Sequence, residues 1–314
     1  MIVLHFSWNS VIIILLRKLN LTVRQWYKII ICICPGDKTG FMEQQYMNGD
    51  MIMKVTHQEK ELKQLITKEN RFLEGRKNHK ESAINRFLAD KVPEKLSDNI
   101  NVAFSKAFSV IFDKGTSVIE LTYKKDELEK DFQVDLYSAR IRGTSKSLKK
   151  LSNKADIAGG VNLAVSGVSG IGMGLLGMGL PDIPVFTAMI LRCIYEIAIR
   201  YGFGYETEEE KYFILLLIEG SVSYGSHLEE INRKIDEFIV NPVLPAGYNR
   251  SEQILSASSV LSSELLYMKF LQGVPVVGAV GGAYDVIYMN SISKYSRMKY
   301  KKRFLLNYNK EVNV

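Results

Sequence analysis

The sequence is poor in cysteine and histidine and carries no catalytic signature, and each scarcity closes a class of explanation. Its three cysteines, Cys32, Cys34 and Cys193, are too few and too badly spaced for a disulfide framework or a four-ligand zinc site, so a reducing cytosol fits best. Of the four histidines, His5 lies in an irregular start and His57 and His79 in charged helical stretches. His227 precedes Glu229 and Glu230 with no second histidine at metal-ligand spacing. Ser166 and Ser169 are not flanked as G-x-S-x-G, and neither has a partner that spacing nominates. The apolar run Val11 to Leu16 is far short of the roughly 20 residues of a spanning helix. Arg17 and Lys18 follow that run, the reverse of the order in a secretory signal. No cofactor, metal site or catalytic residue is assigned from these residues.

What is present describes a folded, basic protein. With 314 residues, 46% of them hydrophobic and 24% charged, the chain can bury one large core or two small ones. A net charge of +7 favours an anionic partner, with phospholipid head groups and nucleic acid as the two candidates. Residues 1–53 show broken apolar patches and no sustained period, which reads as an extension outside the fold. The other reading is an amphipathic anchor, with Trp8, Trp26 and Tyr27 beside Arg17, Arg24 and Lys28. From residue 54 a single helical domain is expected to run to residue 314.

Helical period begins near Thr56, where Leu62, Leu65, Ile66 and Leu73 share one side of a charged helix ending near Gly75. A second helix is expected around Ser82 to Asp90, ahead of Pro93. Ser97 or Asp98 can cap a third, whose Ile100, Phe104, Phe108, Ile111 and Phe112 make a core stripe, with Gly115 ending or bending it. The basic stretch from Ser138 to Lys154 is either a solvated helix and loop or a membrane-side patch of Arg140, Arg142, Lys146, Lys149 and Lys150.

Between Ile157 and Pro181 there is no charged side chain, and Gly170 and Gly174 form GxxxG, a spacing that lets helix backbones approach closely. The same run contains GxGxxG at Gly172, Gly174 and Gly177, but Pro181 and Pro184 interrupt the helix a nucleotide site needs. Asp182 can cap a helix reaching Tyr201, along which Arg192, Glu196 and Arg200 stack at four-residue intervals. That ladder is either a solvated face or, if buried, a polar cluster with Asp182 and Tyr201 whose members must satisfy one another or a ligand. Thr207 and Glu210 form a capping box ahead of an apolar helix, HLEEINRKIDEFIV is amphipathic, and a small-residue helix follows Arg250. A second glycine-rich run repeats GxxxG at Gly278 and Gly282, so the two runs are expected to pair as a hairpin at the core of an all-α domain. The tail interleaves aromatics with Lys299, Lys301, Lys302 and Arg303, a basic surface suited to a membrane or a nucleic-acid backbone.

The turn Leu180-Pro181-Asp182-Ile183-Pro184, the positions Arg192, Glu196, Tyr201 and Gly202, and the segment Gly278 to Tyr288 carry a resemblance to the EcsC protein family, over approximately Lys54 to Lys310. The resemblance implies a bacterial, largely helical protein whose namesake is associated with an ABC-transporter locus, and it implies no agreed activity. The expected function is a non-enzymatic protein on the inner face of the cell membrane, binding lipid or a membrane-protein partner rather than nucleic acid, through its glycine-rich apolar segments together with the basic tail from Lys294 to Arg303. The alternative is a hydrolase-like enzyme using Asp182, Glu196 and an arginine.

Overall fold

The computed structural model describes residues 57–78, 93–142, 150, 182–272 and 278–312. Contacts divide the chain into Met1–Lys54 and Val55–Val314, and every described residue belongs to the second unit. The expected extension, the helix around Ser82 and the first glycine run with Gly170 and Gly174 lie outside the described residues. Among those described, regular structure is entirely helical: α1 (His57–Gly75), α2 (Glu94–Val110), α3 (Thr116–Glu120), α4 (Lys125–Arg142), α5 (Asp182–Arg200), α6 (Glu208–Val222), α7 (Gly225–Val240), α8 (Arg250–Gln272) and α9 (Gly278–Val312). The fold is all-α.

α6 is central because its body, Tyr212 to Ile218, is apolar all round. Every residue from Tyr212 to Val222 is buried, as a helix apolar all round requires, and α7, α8 and α9 pack against it. Thr207 starts it by accepting the Glu210 backbone N–H at 3.3 Å. The reciprocal half of the box is diverted, since the Glu210 carboxylate binds Arg303 instead. Gly220 lets two neighbours approach: a Cβ there would lie 2.9 Å from the Tyr295 ring and 3.1 Å from Ile231.

α2 begins at Glu94, earlier than either proposed cap, because Pro93 with φ −60° and ψ 133° sets the boundary and accepts the Leu96 N–H at 2.9 Å. It runs into a π-helical turn, Ile111–Gly115, and then α3, so the helical path continues past Gly115. Ile100, Phe104, Phe108, Ile111 and Phe112 are all buried.

α5 terminates at a glycine for a reason the backbone states. Gly202 has φ +80°, its N–H donates to Ile199 O at 2.8 Å, and the Phe203 N–H reaches back to Ala198 O at 2.9 Å, the Schellman pattern. A Cβ at Gly202 would also overlap the Phe132 ring of α4.

α9 is a 35-residue spine touching α1, α5, α6, α7 and α8. Gly278 and Gly282 form its first turns, and the helix continues unbroken through the basic tail. No contact between the two glycine runs is part of the described structure.

Candidate functional site

The basic surface predicted on the tail is a core element instead. Lys299 is fully buried and Lys301 and Arg303 are nearly so, because each meets a carboxylate supplied by a distant helix. Lys299 Nζ binds Glu69 of α1 and reaches Asp236 of α7 at 2.8 Å. Lys302 bridges the same two carboxylates, at 2.9 Å each. Lys301 pairs with Glu61 at 3.2 Å, and Arg303 grips Glu210 with two nitrogens at 2.6 and 2.9 Å. The Arg303 guanidinium also lies 4.3 Å from the Phe203 ring centroid, within cation–π range. Burial opposes the charge on Lys302, but Glu69 and Asp236 outweigh it and hold the ammonium above its ordinary pKa. A long basic side chain is stable inside only when paired, and here four carboxylates do the pairing.

The polar cluster predicted on α5 divides. Asp182 and Glu196 stand near opposite ends of the helix, about 21 Å apart along its axis at about 1.5 Å per residue, too far to act on one reacting atom. The Asp182 side chain itself is outside the described residues. Arg192 Nε donates to Glu196 at 2.8 Å with both side chains partly exposed, and Arg200 lies one turn on with its Nε buried and without a hydrogen bond. Tyr201 is buried and packs toward Phe304, 6.1 Å between ring centroids. Burial pushes the neighbouring Cys193 thiol up to about 11, the direction of an inert core cysteine rather than a nucleophile. Along α5, Glu196 is thus engaged by Arg192 and stands most of a helix length from Asp182.

Two polar clusters were not read from sequence, because each joins distant segments. In the first, the Tyr205 hydroxyl donates to Glu120 at 2.5 Å and contacts the Tyr123 hydroxyl at 2.8 Å. Lys125 bridges Glu120 at 2.9 Å and Glu206 at 2.7 Å beside a cavity of about 620 Å³. Burial pushes both tyrosines far above their ordinary pKa, with the Glu120 carboxylate adding to the effect. Burial opposes the Lys125 charge, but its bonds to Glu206 and Glu120 prevail and raise its pKa. Proton transfer near neutral pH needs shifts toward neutrality, and these run away from it. In the second cluster, buried Glu219 accepts from Ser256 at 2.9 Å and Gln253 at 3.2 Å, and the half-exposed His227 ring lies at 3.0 Å. No group of three or more His, Cys, Asp or Glu among the described residues is placed to hold a metal.

Among the described residues, α4 carries an exposed apolar surface. Its inner face buries Phe132, Leu136 and Ala139, while Val134, Tyr137 and Ile141, spaced by three and four, remain 65%, 67% and 66% exposed. They form an apolar and aromatic stripe on the outside of the helix. Arg140 and Arg142 bracket Ile141, both exposed, while at the other end Lys130 stands between the exposed acids Glu129 and Asp131. Lys150, also exposed, lies 4.0 Å from Asp135. Within residues 133–142 the one acid is Asp135, which is buried, so the outer surface there is cationic. Among the described residues no helix is long and apolar enough to cross a membrane.

Comparison with known proteins supplies a family. The model of the EcsC protein family matches residues 56–305. No curated protein and no solved structure matches the chain.

Proposed function

The chain belongs to the EcsC protein family, and we propose that it is a non-enzymatic peripheral protein that docks on an anionic membrane surface through the C-terminal half of α4. One observation carries this reading: three large apolar side chains stand about two-thirds exposed on one helix face, with two exposed arginines, Arg140 and Arg142, at its C-terminal end. An interfacial helix has this make-up, with an apolar and aromatic face at acyl depth and basic side chains at head-group level. Full burial of such a side chain contributes roughly 1.5 to 3 kcal/mol. A cation near anionic lipid adds about 1 kcal/mol. The two contributions are of similar size, so attachment depends on both. The position on the cytoplasmic face is part of the same proposal, since anionic lipid is concentrated there.

The test is co-sedimentation of the full chain with phosphatidylcholine vesicles, with and without phosphatidylserine. Binding is expected only with the anionic lipid, to weaken in high salt, and to be lost in Val134→Ser/Tyr137→Ser/Ile141→Ser and reduced in Arg140→Gln/Arg142→Gln. Absence of binding to protein-free anionic vesicles, or binding indifferent to the triple substitution, overturns the proposal.

A further inference from the structure

A second site lies away from α4, where α1 runs beside α9. The two helices leave a groove with a cavity of about 450 Å³, lined by Gln64, Leu65, Lys68, Arg71 and Phe72 from one side and Lys294, Arg297 and Met298 from the other. Its volume falls in the range of small-molecule sites, roughly 300 to 1,000 Å³. Helical spacing produces the alignment: Gln64, Lys68 and Arg71 follow one face of α1, and Lys294, Arg297 and Lys301 one face of α9.

The charges in this groove are treated unlike those of the neighbouring core. Lys301 at its edge is neutralised by Glu61, and Lys299 and Lys302 by Glu69 and Asp236. Lys68, Arg71 and Lys294 are exposed, and none of them pairs with a carboxylate among the described residues. Three like charges therefore converge on one concavity, although Lys299, Lys301, Lys302 and Arg303 further along α9 are each paired with a carboxylate. The floor beneath them is apolar, built from Leu65, Phe72 and Met298, with Lys294 Nζ 5.8 Å from the Phe72 ring centroid. Clustered cations over a partly apolar floor attract an anion that also has surface to bury.

We infer that the groove between α1 and α9 is a binding site for a phosphate monoester or diester carrying an apolar group. Lys68, Arg71 and Lys294 hold the phosphate oxygens, and Leu65, Phe72 and Met298 take the apolar part. The arginine presents a planar fork of donors that fits phosphate in a bidentate manner, and the lysines act as point charges. A soluble phosphorylated metabolite and a phospholipid head group share this chemistry. The site is independent of the stripe on α4, and either can fail without the other.

The experiment is calorimetric titration of the full chain with 1-naphthyl phosphate, with inorganic phosphate and 1-naphthol as comparisons. Sedimentation with phosphatidic-acid vesicles is run in the Val134→Ser/Tyr137→Ser/Ile141→Ser background, to remove attachment through α4. The expected result is saturable binding of 1-naphthyl phosphate, at least tenfold tighter than either comparison compound. That binding weakens at least tenfold in Lys68→Gln/Arg71→Gln and severalfold in Lys294→Gln, with unchanged melting temperatures. Lys63→Gln, an exposed change on α1 outside the groove, leaves it unaltered. Binding confined to the vesicles, and lost with Lys68→Gln/Arg71→Gln, assigns the phosphate to a lipid and supports the same site. Binding to neither probe, or binding indifferent to the groove substitutions, overturns it.

Discussion

Residues 133–142 of α4 and 294–303 of α9 have the same texture in sequence, basic side chains interleaved with aromatic and aliphatic ones, and opposite fates in the fold. On α9, Tyr295, Lys299 and Tyr300 are fully buried, while on α4 Val134, Tyr137 and Ile141 face outward. The difference comes from acids contributed elsewhere: Glu61, Glu69, Glu210 and Asp236 lie between 63 and 240 positions from the cations they meet. On α4, Arg140 and Arg142 remain exposed. A basic, aromatic stretch thus reads as membrane-facing only after its possible partners in the rest of the chain have been counted.

The strongest way to break the contrast is to remove one buried cation. Lys299→Met leaves Glu69 without its closest partner in a nearly dry site, and loss of one member of such a pair costs roughly 3 to 5 kcal/mol. Urea denaturation is expected to show that loss. Lys299→Met/Glu69→Met is expected to recover a large part of it, because two apolar groups no longer leave a charge stranded, although Lys302 then keeps only Asp236. A single-variant cost below about 1 kcal/mol, the range of exposed ion pairs, shows that the pair is solvated and the two regions are alike.

Alkaline pH probes the same spine without mutation. Burial holds Tyr295 and Tyr300 well above their ordinary pKa, and Lys302 is raised by Glu69 and Asp236 against the opposing effect of burial. All three retain protons in the folded state that the unfolded chain begins to release near pH 10. The folded state then binds more protons than the unfolded one, so stability falls as pH rises. It is complete below about pH 9.5 and is lost above, at up to about 1.4 kcal/mol per pH unit for each group. Melting temperature should be flat from neutrality to that point and then drop, and tyrosinate absorbance should rise together with unfolding. Full tyrosine ionisation in a chain that remains folded sinks this account of α9.

Gly220→Ala tests how closely the spine packs on α6. Alanine favours a helix by about 1 kcal/mol over glycine. Here its Cβ meets the buried Tyr295 ring, whose hydroxyl is fixed to Asn232 at 2.9 Å and cannot yield freely. Overpacking of about 1 to 3 kcal/mol is expected to outweigh the propensity gain. A stabilised variant indicates that Tyr295 moves aside.

How much of this was legible depends on the range over which each feature is determined. The helices of α1, α2, α5, α6 and α7 follow from period and punctuation, and the Thr207 cap and the Gly202 terminator act within a few residues of themselves. The diversion of Glu210 to Arg303 was not legible, because nothing near Glu210 announces a partner 93 positions away. The separation of Asp182 from Glu196 was legible, since a common helix fixes their distance. The Tyr123, Tyr205 and Glu120 cluster joins the end of α3 to the loop after α5, which no local period encodes.

The smallest expected effect on stability is also the sharpest contrast. Ile141 and Ile292 are the same residue in helices of similar texture, one 66% exposed and the other fully buried. Ile292→Ala opens a cavity and is expected to cost about 2 to 5 kcal/mol. Ile141→Ala removes a side chain that touches mostly water, so its effect on urea unfolding should stay within about 0.5 kcal/mol. An exposed isoleucine that contributes nothing to folding is still available to bind, so Ile141→Ala should weaken sedimentation with phosphatidylserine vesicles while the melting temperature holds. If Ile141→Ala instead destabilises by more than about 1 kcal/mol, the side chain is covered within the folded protein. The stripe on α4 then belongs to the core, as the tail of α9 does.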